Sequence, residues 1–308
     1  MNTGNDDRLL VITLSNIGDL VLTTPVFEAL AAHFPRARID VIGDARSAEL
    51  LAAAPYIGDI HLYDKRASLA KRVAFLLARR ARRYRLVVDL RTAFFASLMR
   101  AQRRLRKREG RLAGRHAVLE HFATLAPVLG AAPPPPCRVH LAPASVARAA
   151  AWLADLPGSR WLALAPGANF PGKKWPREAY RQLLELCAAR FDAALLLGSA
   201  QDLDDVRALA DASLPTLVTA GISSLPDAAA LLARATAFVG NDSGLGHVAA
   251  AVGTPSLTVF GPGDPARYRP WGPRARIVRA PGEDLHELSP AVVRDALQNL
   301  LDQATETH

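Results

Sequence analysis

The chain has 308 residues, half of them hydrophobic, with a formal net charge of +9, which suggests one large or two ordinary domains with sizeable cores. Its two cysteines, Cys137 and Cys187, are too few and too far apart for a disulfide framework or a cysteine-based zinc site, which fits a reducing compartment. No apolar run approaches the ~20 residues that span a bilayer, and residues 1–7 lack a signal-peptide pattern, so a cytoplasmic protein with peripheral membrane contact is expected.

Residues 9–14 read as a first buried strand. Ser15-Asn-Ile-Gly-Asp19 follows, then an apolar helix-like stretch to Phe34. This opens a Rossmann-like half without a dinucleotide fingerprint. G-x-G-x-x-G needs glycines that admit a pyrophosphate, and only Gly18 is present, which argues against a nicotinamide or flavin cofactor here. Asp19 falls at the carboxyl end of the strand, where two roles stay open: helix N-cap or general base. Pro25 is expected to kink the helix or delay its start. Residues 38–42, 59–63 and 85–90 read as three more strands, and residues 69–83 as a helix between them. Four strands alternating with helices make a parallel doubly wound domain. Arg91 and Thr92 leave the fourth strand toward the same edge.

The charge is unevenly spread. Residues 65–115 hold 18 Lys and Arg against Asp89 and Glu109, a balance of +16, while the rest of the chain is at −7. This segment includes Arg79-Arg-Ala-Arg-Arg83 and Arg103, Arg104, Arg106 and Arg108. It reads either as a solvated helix face with a flexible loop or as an anion-binding surface. The anion is nucleic acid, acidic lipid headgroups or a phosphorylated, carboxylated glycolipid. No aromatic residue interleaves residues 102–116, which gives little support to base stacking.

The proline run at residues 133–136 is stiff and extended and suits a linker. The expected domains are 1–143 and 144–308. In the second half, strands are expected at 160–165, 193–198, 216–218, 236–239 and 256–260, with helices at 177–190, up to Arg234, at 248–252 and at 289–301. Residues 267–271 read as loop. The loop at 168–176 carries Lys173 and Lys174, either as an exposed basic loop or as an ammonium for phosphates. Asp242 and Ser243 are placed to cap the helix that follows, whose start favours an anion. Gly244 and Gly246 allow close approach to the backbone. His247 lies one turn in. These residues fit an ordinary capped helix or a nucleotide-diphosphate cradle.

Asn241-Asp-Ser-Gly-Leu-Gly-His247, then Ala249-Ala-Ala-Val-Gly-Thr-Pro255, then Phe260-Gly-Pro-Gly-Asp-Pro265 resembles the signature of the bacterial heptosyltransferases, glycosyltransferase family 9. The resemblance runs from residue 9 to about 271 and is thin through the basic segment. It implies an α/β GT-B fold, in which two Rossmann-like domains face each other across a cleft, and a final helix that can cross back to the first domain. It implies an ADP-heptose donor and transfer to the inner core of lipopolysaccharide. Ser15 to Asp19 followed by Thr23-Thr-Pro25 is similar to the family's N-terminal motif and puts the catalytic aspartate on Asp19. Thr13 and Ile222 stand where the family often carries a basic residue. The lysine before Trp-Pro falls on Lys174 in preference to Lys173. Donor binding is thereby assigned to Lys174, Asp242, Ser243, Gly244 and His247. The acceptor side takes the basic segment, with Arg91, Arg103, Arg104, Arg106 and Arg108.

The expected enzyme is thus an inverting, metal-independent glycosyltransferase without a cofactor. It acts on an anionic glycolipid at the inner face of the cytoplasmic membrane, with no nucleic acid partner. The alternatives are another nucleotide sugar or a non-lipid acceptor, a nucleotide-sugar binder without turnover, and a basic nucleic-acid-binding protein.

Overall fold

A computed structural model describes residues 7–64, 66–91, 94–107, 115–210 and 213–305. The chain divides into two compact units, residues 1–140 and 141–308. The proline run lies within the first unit: beyond it Cys137 and Val139 are buried, and His140 Nε2 is 2.9 Å from Glu28 Oε1.

In the first unit, β1 (Arg8–Ile12) is followed by α1 (Ile17–Val21), α2 (Thr24–His33), β2 (Arg38–Gly43), α3 (Ala45–Leu51) and β3 (Ile57–Leu62). Then come α4 (Leu69–Arg80), β4 (Arg83–Asp89), α5 (Phe95–Leu98), β5 (Arg100–Arg106), α6 (Ala117–Ala123) and α7 (Ala126–Leu129). The strands pair in parallel in the order β3-β2-β1-β4-β5. Leu9, Leu10, Val11 and Ile12 are all fully buried, as a central strand covered on both faces requires. Pro25 delays a helix: α1 stops at Val21, and Pro25 occupies the first turn of α2, where a missing N–H is tolerated.

The fifth strand corrects the expected count of four. It lies inside the basic segment expected to be helix face and loop, and Arg103, Arg104 and Arg106 all sit on it. Among the described residues it pairs only with β4, as an edge strand, and charged side chains are tolerated there.

The second unit runs through α8 (Pro143–Leu153), β6 (Trp161–Ala165), α9 (Arg177–Cys187), β7 (Ala193–Leu196), α10 (Leu203–Arg207), β8 (Thr216–Val218) and α11 (Leu225–Arg234). It continues with β9 (Ala237–Asn241), α12 (Gly244–Ala251), β10 (Ser256–Phe260), α13 (Pro265–Tyr268), β11 (Ala275–Arg279) and α14 (Pro290–Thr305). Its sheet is also parallel, in the order β11-β10-β9-β6-β7-β8. Strand β11 and the short helix α13 were not expected from the sequence. The buried face of α14, with Val293, Leu297, Leu300 and Leu301, belongs to the core of its own unit. Helices α8 and α11 are clipped together by Arg148, whose Nη2 donates to Asp227 Oδ1 at 2.6 Å. Asp227 also completes a capping box with Ser224 at the start of α11.

Candidate functional site

In a parallel α/β sheet the loops after the strands form the ligand edge. In the first unit that edge carries Ser15 and Asp19 after β1, Tyr63 after β3 and Arg91 after β4. Strands β1 and β4 are neighbours, so the loops after them start from adjacent places on the sheet edge. Asp19 is half-buried in the first turn of α1, and its Oδ2 accepts from Asn16 Nδ2 at 3.0 Å. It does not cap the helix. Asn16 holds the N-cap position and makes no side-chain cap bond, so one of the two roles left open for Asp19 is removed.

Two polar groups at this edge are buried without a hydrogen-bond partner among the described residues: Ser15 Oγ and Arg91 Nη1. Arg91 lies 5.6 Å over the Tyr63 ring. Burial pushes its pKa down, with Tyr63 and Asp44 opposing the shift. Its backbone N–H donates to Asp89 Oδ1, which fixes where the residue leaves the strand. A buried donor left unpaired costs about 1–3 kcal/mol.

The other predicted arginines divide. Arg103 Nη2 donates to Pro127 O at 2.6 Å, and Arg104 donates to Ala96 O and Met99 O. Both guanidinium groups hold backbone carbonyls of the fold, and both residues are exposed. Arg106 is exposed and pairs in register with Asp89, so it ends β5 at the ligand edge. Arg108 and Thr92 lie outside the described residues. Thr13, where a basic residue was expected from the resemblance, is fully buried, its Oγ1 3.0 Å from Thr23 Oγ1.

In the second unit, β9 ends at Asn241 and hands over to α12. Ser243 is the N-cap residue, with extended backbone, but makes no side-chain cap bond, and Asp242 makes none either. The expected capping is therefore absent, and among the described residues the first-turn amides of α12 have no side-chain acceptor. Asp242 instead forms an ion pair with Lys173 Nζ, and its backbone N–H donates to Val259 O. Gly263 lies against this pair: a Cβ there would stand 3.3 Å from Asp242 Oδ2 and 3.9 Å from Lys173 Nζ. Lys174 turns the other way and bonds Asp205 in α10 at 2.7 Å. So the lysine brought to the end of β9 is Lys173, not the favoured Lys174. His247 is 95% buried within α12, the least accessible of the predicted donor residues, whereas Gly244 opens the helix at its half-buried start.

In the sequence Asn241 enters only as the first residue of the family-like signature, with no role of its own. It is fully buried and holds the site together. Its Oδ1 accepts from Trp175 N and Tyr180 OH, each at 3.0 Å, and its Nδ2 donates to Pro166 O at 2.6 Å. One side chain thus ties the lysine-bearing loop to β9 at both ends. A further signal is its place just after an apolar run, where a carboxamide needs a reason to be buried.

Among the described residues, one trio of possible metal ligands converges, Asp40, Asp59 and His61. Arg8 and Arg82 each donate to both Asp40 and Asp59, so guanidinium groups neutralise these carboxylates.

The profile of glycosyltransferase family 9 (heptosyltransferase) matches residues 70–293. Lipooligosaccharide heptosyltransferase 2 of Haemophilus influenzae is 37% identical over 38% of this chain and 36% of that protein. Lipopolysaccharide heptosyltransferase 2 of Salmonella typhimurium is 27% identical, over 88% of each chain. The solved structure of E. coli ADP-heptose lps heptosyltransferase II has the same fold, with a TM-score of 0.80 at 23% identity, covering 97% of this chain and 99% of that one. The chain therefore belongs to glycosyltransferase family 9, the heptosyltransferases, and is a glycosyltransferase of two parallel-sheet α/β units.

Proposed function

We propose that this enzyme moves a heptose from ADP-heptose to a hydroxyl of an anionic glycolipid, the lipopolysaccharide inner core, with inversion at the sugar carbon. The observation that carries the donor half is the uncapped start of α12 beside Lys173. A diphosphate supplies the acceptors that Ser243 and Asp242 do not. Lys173 and the amides at Ser243 and Gly244 then meet the charge that grows on the leaving ADP. The names of the relatives support the donor and the acceptor: the solved E. coli structure is of an ADP-heptose enzyme, and the Salmonella protein acts on lipopolysaccharide.

On the acceptor side, Asp19 is the general base that takes the hydroxyl proton as the oxygen attacks. Arg91 supplies an unpaired N–H for a carboxylate or phosphate of the glycolipid, with Arg106 as a further charge at the same edge. Direct displacement needs no covalent intermediate, which is why a single carboxylate suffices. The proposed place of action is the inner face of the cytoplasmic membrane, where such a glycolipid is presented. Among the described residues no helix is long and apolar enough to cross a membrane.

The test is calorimetric titration with ADP-heptose, GDP-mannose and UDP-glucose, followed by NMR of the transferred product. Tight binding of ADP-heptose alone and an inverted anomeric centre are expected. Preference for another nucleotide sugar, or retention, would overturn the reading.

A further inference from the structure

Helix α4 is the least buried long helix of the first unit. None of its residues is buried; Phe75 and Leu76 alone pack partly against the core. A twelve-residue helix is marginal in water unless a face is covered. Yet Leu69, Val73 and Leu77, spaced four apart on one side, are 72%, 44% and 58% exposed. Phe94, 62% exposed just before α5, adds to the same patch. Together with Tyr63 and Leu98 they line a groove of about 350 Å³. So large an apolar patch on a surface marks an interaction site.

The charge around it selects the partner. Residues 65–88 contain no acidic side chain. Lys71 and Arg80 are exposed at either end of α4 and belong to no ion pair among the described residues. Arg72 and Arg79 lie lower, one bonded to Tyr63 OH and the other 4.3 Å over the Phe75 ring. A second copy of this chain would bring cations against cations, which repel. An anionic lipid surface satisfies both features, with headgroups at the cations and the acyl boundary at the leucines.

We propose that α4 and Phe94 form a docking face by which the enzyme lies on an anionic membrane surface. Leu69, Val73, Leu77 and Phe94 enter the acyl boundary, and Lys71 and Arg80 bind lipid phosphates. The purpose rests on the reading of a membrane-held acceptor; the binding itself requires neither donor nor acceptor.

The experiment is flotation of the full chain with vesicles of phosphatidylcholine alone, or with phosphatidylglycerol at roughly three to one. Wild type should float with the mixed vesicles and not with the neutral ones. Leu69→Gln/Leu77→Gln and Lys71→Glu/Arg80→Glu should each weaken partitioning by at least about tenfold. All four side chains are exposed, so melting temperatures should be unchanged. A Leu77→Trp reporter in the otherwise native chain should shift its emission to the blue on mixed vesicles. The proposal is overturned if wild type stays unbound, or if the leucine variant floats like wild type. It is equally overturned if the reporter stays unshifted, or if the leucines hold a dimer in sedimentation while vesicle binding is indifferent to them. Loss of sugar transfer with vesicle binding intact would count against the function proposed above and leave the docking face standing.

Discussion

The backbone N–H of Trp175 donates to Oδ1 of Asn241 at 3.0 Å, across two segments far apart in sequence. That bond, with the two others made by the same carboxamide, sets where the loop of Lys173 meets the start of α12. Asn241→Ala strands the Trp175 N–H, the Tyr180 hydroxyl and the Pro166 carbonyl in a buried place. A loss of about 2–4 kcal/mol in unfolding free energy is expected, less than the sum because the loop relaxes. Denaturant unfolding measures it, and donor KM should rise in parallel. A variant as stable as wild type would show that the three bonds are not worth their burial.

Lys173 and Lys174 should separate in kinetics. Lys173→Ala removes a cation from the leaving diphosphate, and kcat/KM for the donor should fall about 10²–10³-fold, mostly in kcat. It also leaves Asp242, only 10% exposed in its side chain, without its partner. Lys174→Ala breaks only a partly exposed pair with Asp205, of the kind worth about 0–1 kcal/mol, so turnover should change a few-fold at most. The reverse ranking in steady-state assays would return the role to Lys174.

The arginines of the basic segment should divide in the same way. Arg91→Gln should raise acceptor KM and leave donor KM alone, because its buried Nη1 is the group left for an anion. Arg106→Gln should do so more weakly and more salt-sensitively, since an exposed charge is screened over ~8–10 Å. Arg103→Gln and Arg104→Gln, which lose bonds to backbone carbonyls, should lower the melting temperature with acceptor KM near wild type. An acceptor defect as large for Arg104→Gln as for Arg91→Gln would contradict this division.

Acid should loosen the second unit through Asp227. Burial alone raises a carboxyl's pKa, but bonds from Arg148, Ser224 and Ser145 outweigh it and hold Asp227 at about 2. The folded state therefore binds its proton less readily than the unfolded chain. Its stabilisation is full above pH ~4 and is lost as pH falls toward 2, at most about 2 kcal/mol because Arg148 is half exposed. Asp227→Asn should remove this part of the acid dependence. An unchanged pH–stability curve between pH 4 and 2 would refute it.

The central strands of both units were legible because β1, β6, β9 and β10 are buried on both faces and read as apolar runs. The two missed strands are edges. β5 is Arg-Ala-Gln-Arg-Arg-Leu-Arg, with only Leu105 buried, and β11 is Ala-Arg-Ile-Val-Arg; half-exposed strands lose the run that marks a strand. The polar turn after β9 was legible as an anion site, but not its wiring. Asp242 and Ser243 are good capping residues, and only tertiary contact reveals that Lys173 takes the first and that the second leaves the helix open. Two adjacent lysines in one turn cannot be ranked by spacing either, since α10 decides which one turns away.

The most direct test of the account is acceptor-dependent release of ADP from ADP-heptose, measured for wild type, Asp19→Asn and Lys173→Ala with inner-core glycolipid lacking its heptose. Asp19→Asn should lose about 10²–10⁴-fold in kcat while binding ADP-heptose as tightly as wild type, because only the acceptor proton needs the carboxylate. Lys173→Ala should lose both donor affinity and rate. Near-normal turnover by Asp19→Asn, or a loss of its donor binding to match its loss of rate, would contradict the assignment of base and donor site to the two units.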